Sequence, residues 1–62
     1  MITLHKFLNL MDLDSQLEIF NNETYEKILD GCRHTINLPD CLYDSKIVYF
    51  IPGIVTKIFI NI

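Results

Sequence analysis

The sequence predicts an α+β fold: an N-terminal helix packed on a four-stranded, mainly antiparallel sheet, with a short helical turn before the last two strands. Three observations favour this class. An apolar stripe at helical spacing begins near the N-terminus, alternating apolar and polar residues follow it, and the last third of the chain is rich in β-branched and aromatic residues. A chain of 62 residues is long enough for one small domain, which spans residues 1–62.

The predicted helix rests on apolar residues that recur at i, i+3, i+4 and i+7 and therefore line one face of a helix. Thr3 can cap the helix N-terminus, and the polar segment Asp12–Ser15 is expected to end the helix. The stripe that packs on the sheet is expected to consist of Leu4, Phe7, Leu8 and Met11.

The first two strands are predicted as a hairpin. Residues 16–20 alternate between apolar and polar side chains, which is typical of a half-buried strand. Residues 23–31 fit both a helical spacing and a second strand. Asn21 and Asn22 suit a turn between two strands, so we favour a strand from Tyr25 to Asp30.

One short helical turn is predicted at residues 37–43, because Pro39 suits the first position of a helix. This turn leads into the last two strands. Its apolar residues, which are expected to face inward, are Leu38, Cys41 and Leu42.

The last two strands are predicted on either side of Pro52-Gly53. Pro-Gly suits a type II turn, whose twist fits a tight hairpin poorly, so a wider loop or a bulge is expected. In the first strand the residues expected to share a face are Ile47, Tyr49 and Ile51. In the second strand the core face is expected to carry Ile54, Thr56, Ile58, Ile60 and Ile62.

Size and apolar composition predict self-association. Below roughly 70–80 residues a domain rarely gains enough stability from its own core, and 50% of this chain is hydrophobic. The second face of the terminal hairpin is also too apolar for simple exposure to water. We therefore expect a homodimer or higher oligomer that buries part of that face or an edge strand, with an interface of Val48, Phe50, Val55 and Phe59.

The charge distribution argues against nucleic acid and for a protein partner. The net charge is −3, and the five Lys and Arg residues are scattered rather than clustered as phosphate contacts require. Acids concentrate in residues 12–30, whereas residues 45–62 contain none. This acidic segment is either a solvated surface that keeps the chain soluble or a surface that engages a basic groove on another protein. Its candidate contact residues are Asp14, Glu18, Glu23, Glu26 and Asp30.

The sequence carries no recognisable catalytic, metal or cofactor motif. Cys32 and His34 form one close pair of potential metal ligands, and Cys41 and His5 lie apart from it. Structural zinc sites are normally built from two close pairs, so two unligated thiols and two surface imidazoles are expected. We predict no cofactor, no metal and no enzymatic activity.

The location predicted from the sequence is cytoplasmic. The N-terminal residues lack the basic lead and long apolar run of a signal peptide, so free thiols in a reducing compartment are expected. The longest apolar run, residues 47–62, is too short for a membrane-spanning helix and is interrupted by Pro52, Gly53 and Lys57. No membrane association is predicted.

The order of these patterns resembles that of small proteins encoded by bacteriophages and integrative elements of low-GC bacteria. The likeness lies in a helix that begins near Ile2-Thr3-Leu4, a hairpin, a Gly with a short Leu-containing turn, and closing strands at Asp44–Val48 and Ile58–Ile62. Proteins of this kind include anti-CRISPR and other anti-defence inhibitors that act by stoichiometric binding, and acidic ones can mimic DNA. The resemblance implies no residue-level site.

The function expected from these observations is that of a non-enzymatic protein-binding module. The resemblance implies a phage-encoded inhibitor of a host defence or nucleic-acid enzyme, which would bind a host protein with a basic groove. One alternative is a small oligomeric nucleic-acid-binding protein that uses its sheet, because seven aromatic residues could supply a stacking platform. Another alternative is a structural component of a larger assembly.

Overall fold

The structure is a computed structural model that describes residues 2–62, and it has an α+β fold. Among these residues, no helix combines the length and the apolar character that crossing a membrane requires. The elements in chain order are α1 (Leu4–Asn9), β1 (Gln16–Asn21), β2 (Lys27–Cys32), a 3₁₀ turn (Asp40–Leu42), β3 (Ile47–Ile51) and β4 (Val55–Ile60).

The four strands form one mixed sheet in the order β2-β1-β4-β3. The hairpin pairs β1–β2 and β3–β4 are antiparallel, but the central pair β1–β4 is parallel. The prediction of a mainly antiparallel sheet is therefore only partly right. The reason is that residues 33–46 carry the chain across the sheet, so that β4 returns beside β1 in the same direction.

The core lies between α1 and one face of the sheet, here called the helix-side face. Side chains from every strand except β2 are buried in it, and Ile28 and Leu29 of β2 pack against it while partly exposed. Each fully buried Leu or Ile contributes about 1.5–3 kcal/mol relative to an exposed one. The buried residues of this core are Leu4, Leu8, Leu17, Ile19, Leu42, Ile47, Ile58 and Ile60.

The helix α1 is capped at both ends. At its N-terminus the Lys6 backbone N–H donates to Thr3 Oγ1 over 3.4 Å. The helix ends at Asn9, before the last residue of its predicted stripe, Met11, which still packs partly against the core. At the C-terminal end, Arg33 donates from Nε to the Leu8 carbonyl oxygen (2.6 Å) and from Nη2 to Asn9 Oδ1 (3.2 Å). This cation satisfies an end carbonyl and opposes the negative end of the helix dipole.

A bulge in β3 overturns one sequence-based expectation. Ile47 is buried in the core opposite Ile60, whereas Tyr49 pairs with Phe59, whose side chain points to the other face of the sheet. The pairing register shifts between Ile47 and Tyr49, which leaves Val48 as the extra residue. Because a bulge interrupts the alternation of side chains, the prediction that Ile47 and Tyr49 share a face is wrong.

Three further differences concern the start of β2 and the connection 33–46. The second strand is present but begins at Lys27 rather than Tyr25, because residues 22–26 connect the two strands. In the connection 33–46, Leu42 is buried, but Cys41 is exposed and so does not face inward as predicted. Pro39 occupies the capping position before the 3₁₀ turn rather than its first helical position.

The connection between β3 and β4 is wide, as the Pro-Gly pair predicts. Ile51 pairs with Lys57, so five residues separate the last antiparallel partners. Ile54 lies in this loop and is 97% exposed, although the alternation places it on the core face. Ile62 is also exposed, because β4 ends at Ile60.

We predict that Arg33→Ala lowers the free energy of unfolding by about 2 kcal/mol, because the charge-assisted hydrogen bond to the Leu8 carbonyl is lost. Urea denaturation followed by circular dichroism measures this change. Lys46→Ala removes the same charge from an exposed position and is expected to change stability by less than about 0.5 kcal/mol. Equal losses in the two variants would contradict the capping role of Arg33.

Candidate interaction surface

Three aromatic rings from neighbouring strands stack across the sheet face opposite α1, here called the outer face. Phe20 of β1 lies 5.0 Å from Phe59 of β4 between ring centroids, at an interplanar angle of 17°. Tyr49 of β3 lies 4.4 Å from Phe59 on its other side, at 10°. The pairing register explains the geometry, because Phe59 is the direct partner of both residues.

This aromatic cluster, Phe20, Phe59 and Tyr49, is a second small core. Phe59 at its centre is only 8% exposed, although it lies on the face without a helix. Because the three rings are nearly parallel, Phe20 and Tyr49 cover the two faces of the Phe59 ring, which are not open to a further flat ligand. The cluster therefore covers the outer side of the central strands.

Tyr25 covers the cluster from the turn between β1 and β2. Its ring meets Phe59 edge-on, with 6.0 Å between centroids and an interplanar angle of 77°. Its backbone has φ 61°, a left-handed conformation that costs a non-glycine residue roughly 1–2 kcal/mol. The contact with Phe59 helps to offset this cost. The ring is nevertheless 64% exposed, so most of it faces water.

Hydrogen bonds within the turn fix this conformation. The Tyr25 N–H donates to the Asn21 carbonyl oxygen (2.7 Å), and the Asn21 N–H donates to the Glu26 carbonyl oxygen (2.9 Å). Side chains add two bonds: the Glu23 N–H donates to Asn21 Oδ1 (2.9 Å), and the Glu26 N–H donates to Thr24 Oγ1 (3.3 Å). Residues 23–26, here called the turn tip, are thus an ordered projection whose side chains are all exposed.

The charges of the turn tip give it a chemical preference. Glu23 and Glu26 flank Tyr25, and in the part of the chain that the structure describes neither carboxylate forms an ion pair. An exposed tyrosine ring between carboxylates can receive an arginine side chain, which stacks on the ring and donates to the carboxylates. The turn tip is therefore suited to a basic protein surface.

Two other acids on the outer face are already compensated. Glu18 and Asp30 are direct cross-strand partners, which would repel each other without a cation. Lys27 Nζ lies 3.0 Å from Asp30 Oδ2 and 3.4 Å from Glu18 Oε2. The hydrogen bond to Asp30, and then that to Glu18, raise the pKa of Lys27. The resulting stabilisation is present at neutral pH and disappears in alkali above the ordinary value of 10.5.

The five acids predicted as contacts do not form one surface. The structure brings Glu18 and Asp30 together on the outer face, and Glu23 and Glu26 together in the turn tip. Asp14 lies before the start of β1, at the other end of that strand from the turn tip. A strand of six residues is about 20 Å long. Only Glu23 and Glu26 are thus available to a partner beside Tyr25.

The residues predicted as an oligomer interface do not share one surface in the structure. Phe59 is inside the aromatic cluster and has little surface to offer, whereas Val55 is exposed at the start of β4. Phe50 is exposed on the helix side, where its ring lies 4.9 Å from Phe7, and Val48 is the exposed bulge residue. Because the bulge shifts the alternation, Tyr49 points to the outer face, where Val48 and Phe50 were expected.

The sequence offered little sign that Tyr25 would project from the turn. Positive φ angles favour Gly and Asn, so a tyrosine at this position would not be expected from turn chemistry. The turn residues from Asn21 to Thr24 mark a reversal of the chain, but they do not indicate which side chain projects from it.

Cys32 and His34 approach each other at the end of β2. The distance from Cys32 Sγ to His34 Nδ1 is 3.1 Å, and both atoms are near the Leu13 carbonyl oxygen, at 3.3 and 2.8 Å. These contacts attach the end of β2 to the segment before β1. Within residues 2–62 no three side chains of His, Cys, Asp or Glu gather as a metal site would require, and both cysteines are free.

Two small, open cavities lie on the described part of the chain. One of about 220 Å³ lies between α1 and the connection 33–46, and its wall includes His5, Arg33 and Tyr43. Another of about 280 Å³ lies on the open surface beside Gln16 and Val55. Both are below the roughly 300–1,000 Å³ of typical ligand pockets, and the Arg33 guanidinium is already bonded to α1.

No protein-family model matches this chain, and no curated protein or solved structure is significantly similar to it. The turn tip and the aromatic cluster beneath it are the features of the described chain that combine an exposed aromatic ring, charge and a fixed conformation.

We predict that Phe59→Ala lowers the free energy of unfolding by about 3 kcal/mol, because it opens a cavity at the centre of the aromatic cluster. Tyr49→Ala removes a ring at the margin and is expected to cost about 1 kcal/mol. Guanidinium denaturation of the two variants compares these losses directly. A cost for Tyr49→Ala equal to that of Phe59→Ala would show that the cluster has no buried centre.

Proposed function

We propose that this chain is a non-enzymatic protein-binding module that acts by stoichiometric contact through its turn tip. The observation that carries the proposal is Tyr25, a ring that is 64% exposed, held by a hydrogen-bonded turn and seated on Phe59. Tyrosine is among the residues that most often dominate binding energy at protein interfaces.

The fixed conformation of the turn favours affinity. A side chain that is ordered before binding loses less conformational entropy when the partner arrives. Tyr25 is constrained by its left-handed backbone and by its edge contact with Phe59, so its position is set before contact. Strained backbone at an exposed position is itself a common property of binding sites.

The partner class follows from the charge of the turn tip. Glu23 and Glu26 add two negative charges beside the tyrosine, and they lack the compensation that Lys27 gives to Glu18 and Asp30. Such a surface attracts a basic groove and speeds association at low ionic strength. The partner is therefore a protein with arginine-rich surface, and direct binding to nucleic acid is disfavoured by the net charge of −3.

Within this class, the resemblance to small phage proteins favours an inhibitor. Host defence and nucleic-acid enzymes bind phosphate backbones in basic grooves, and an acidic tip with an aromatic anchor can occupy such a groove. In this proposal the chain acts in the cytoplasm of a bacterial host and blocks its target by occupancy, with no chemical step.

We predict that Tyr25→Ser, and separately the double variant Glu23→Gln/Glu26→Gln, lose at least about tenfold in affinity for the partner, which corresponds to about 1.4 kcal/mol. The partner is first captured with the tagged wild-type chain from bacterial lysate and identified by mass spectrometry. It is then purified, and its affinity for each variant is measured by calorimetry at two salt concentrations. Binding by the wild type should weaken with salt.

The matched control is Asp40→Asn/Asp44→Asn, which removes the same charge from exposed positions outside the turn tip. This control should bind like the wild type. Circular dichroism verifies that all variants are folded. Equal affinity of the turn-tip variants and the control would refute the turn tip as the contact surface, whatever the partner is.

A second candidate function is single-stranded nucleic-acid binding by the outer face. The observation in its favour is the row of three aromatic rings with Lys57 in the same strand as Phe59. Against it, both faces of the central Phe59 ring are already covered, whereas stacking of a base needs an open ring face, so only Phe20 and Tyr49 keep one outward face each. Fluorescence titration with single-stranded DNA decides: no binding at low salt removes this candidate, and steeply salt-dependent binding supports it.

A further inference from the structure

Strand β3 is an edge strand with no charged residue. It lies at one end of the sheet order, and its sequence from Ile47 to Ile51 contains only apolar and aromatic residues. The side chains of residues 48–51 are between 38% and 47% exposed. Natural proteins normally protect edge strands with charges, because an exposed apolar edge pairs with other strands.

The N-terminal segment covers only the beginning of this edge. The Leu4 N–H donates to the Ser45 carbonyl oxygen (2.8 Å), and the Ile47 N–H donates to the Ile2 carbonyl oxygen (3.1 Å). The main chain of residues 48–51 forms backbone hydrogen bonds only with β4, as far as the described residues show. The side of β3 that points away from β4 therefore has backbone groups for a further strand.

The opposite edge of the same sheet is protected. Strand β2 carries Lys27 and Asp30 in its ladder, and Gly31 and a register shift weaken its regularity. Charges and irregularities of this kind discourage pairing with a foreign strand. The two edges thus differ in their chemistry, and only β3 is open to pairing.

We propose that β3 pairs in antiparallel fashion with β3 of a second copy of this chain, which joins two four-stranded sheets into one of eight strands. Self-pairing brings no like charges together along the strand, because residues 47–51 are uncharged. The nearest charge, Lys46, lies at opposite ends of the paired strands in the two copies. An isologous two-fold contact of this kind is the commonest form of protein dimer.

Side-chain direction selects the register. Directly opposed residues must point to the same face of the joined sheet, and Tyr49 points to the outer face whereas Phe50 points to the helix side. The N-terminal segment already occupies the edge at Ile47 and before it. Among the registers that satisfy both conditions, the one that opposes the most residues of β3 places Phe50 on the two-fold axis, opposite Phe50 of the second copy. Tyr49 then lies opposite Ile51 of the second copy.

The paired sheet has a consequence for the turn tips. A two-fold axis perpendicular to the sheet leaves both outer faces on the same side, so both turn tips face the same way. Five strand intervals separate the two β1 strands, which corresponds to about 24 Å across the sheet. A dimer of this form offers two identical contact surfaces to a partner. The self-pairing of β3 does not rest on the function of the turn tip.

We expect light scattering over the micromolar to millimolar range to give twice the single-chain mass of 7.3 kDa for the wild type. Ile51→Lys places a charge at the paired edge and is expected to give the single-chain mass. Ile54→Lys makes the same change at the 97% exposed loop residue beside the strand and should remain dimeric. A single-chain mass for the wild type, or equal masses for the two variants, would overturn the proposal.

A disulfide test determines the register without relying on the stability of Ile51→Lys. Phe50→Cys is introduced with Cys32→Ser and Cys41→Ser, and the protein is oxidised at low concentration. Opposed residues in antiparallel strands lie about 4.5–5.5 Å apart at Cα, which suits a disulfide. Phe50→Cys should therefore form a covalent dimer, whereas Ile54→Cys in the same background should not. Equal cross-linking of both, or of neither, would contradict the proposed pairing.

Discussion

The parallel pairing of β1 with β4 places Ile19 beside Ile58 beneath α1, and the same register places Phe20 beside Phe59 on the outer face. One pairing therefore builds both apolar layers of the domain. Ile19 and Ile58 are completely buried, although the sheet has a helix on only one side. Because the two strands are far apart in the chain, this contact requires closure of a long loop, which costs entropy before any burial repays it.

The aromatic cluster covers the sheet face that has no helix. Stacking of Phe20, Phe59 and Tyr49 removes Phe59 from water without any further element. The turn tip then closes one end of the cluster through the ring of Tyr25. The strained backbone of that residue and the burial of Phe59 are thus linked, and in the proposed function the same contact presents Tyr25 to a partner.

Apolar surface is distributed unequally around the sheet. Charged residues protect the β2 edge, where Lys27 is bonded to two carboxylates, whereas the β3 edge exposes four adjacent apolar or aromatic side chains. A core of this size is near the limit of independent stability. Pairing of the β3 edges would bury surface where the single chain has least protection, and it would leave the turn tip free for a different partner.

The sequence by itself determined the α+β class and the approximate positions of its elements, because local periodicity reflects which side of each element is buried. The apolar stripe around Leu4 and Leu8 and the alternation at Leu17 and Ile19 both correspond to buried residues in the structure. Charge is visible in the sequence alone, so Glu23 and Glu26 could be named as candidate contacts, but together with Asp14, Glu18 and Asp30, which lie elsewhere in the structure.

Only the tertiary structure decided how these parts meet. Strand order, the Val48 bulge that turns Tyr49 to the outer face, and the contact of Arg33 with Leu8 all depend on residues distant in the chain. The approach of Glu18 to Lys27 likewise depends on the pairing of β1 with β2. Local patterns are degenerate with respect to such pairings, because many registers bury the same apolar face. The sum of long-range burial and hydrogen bonding selects one of them.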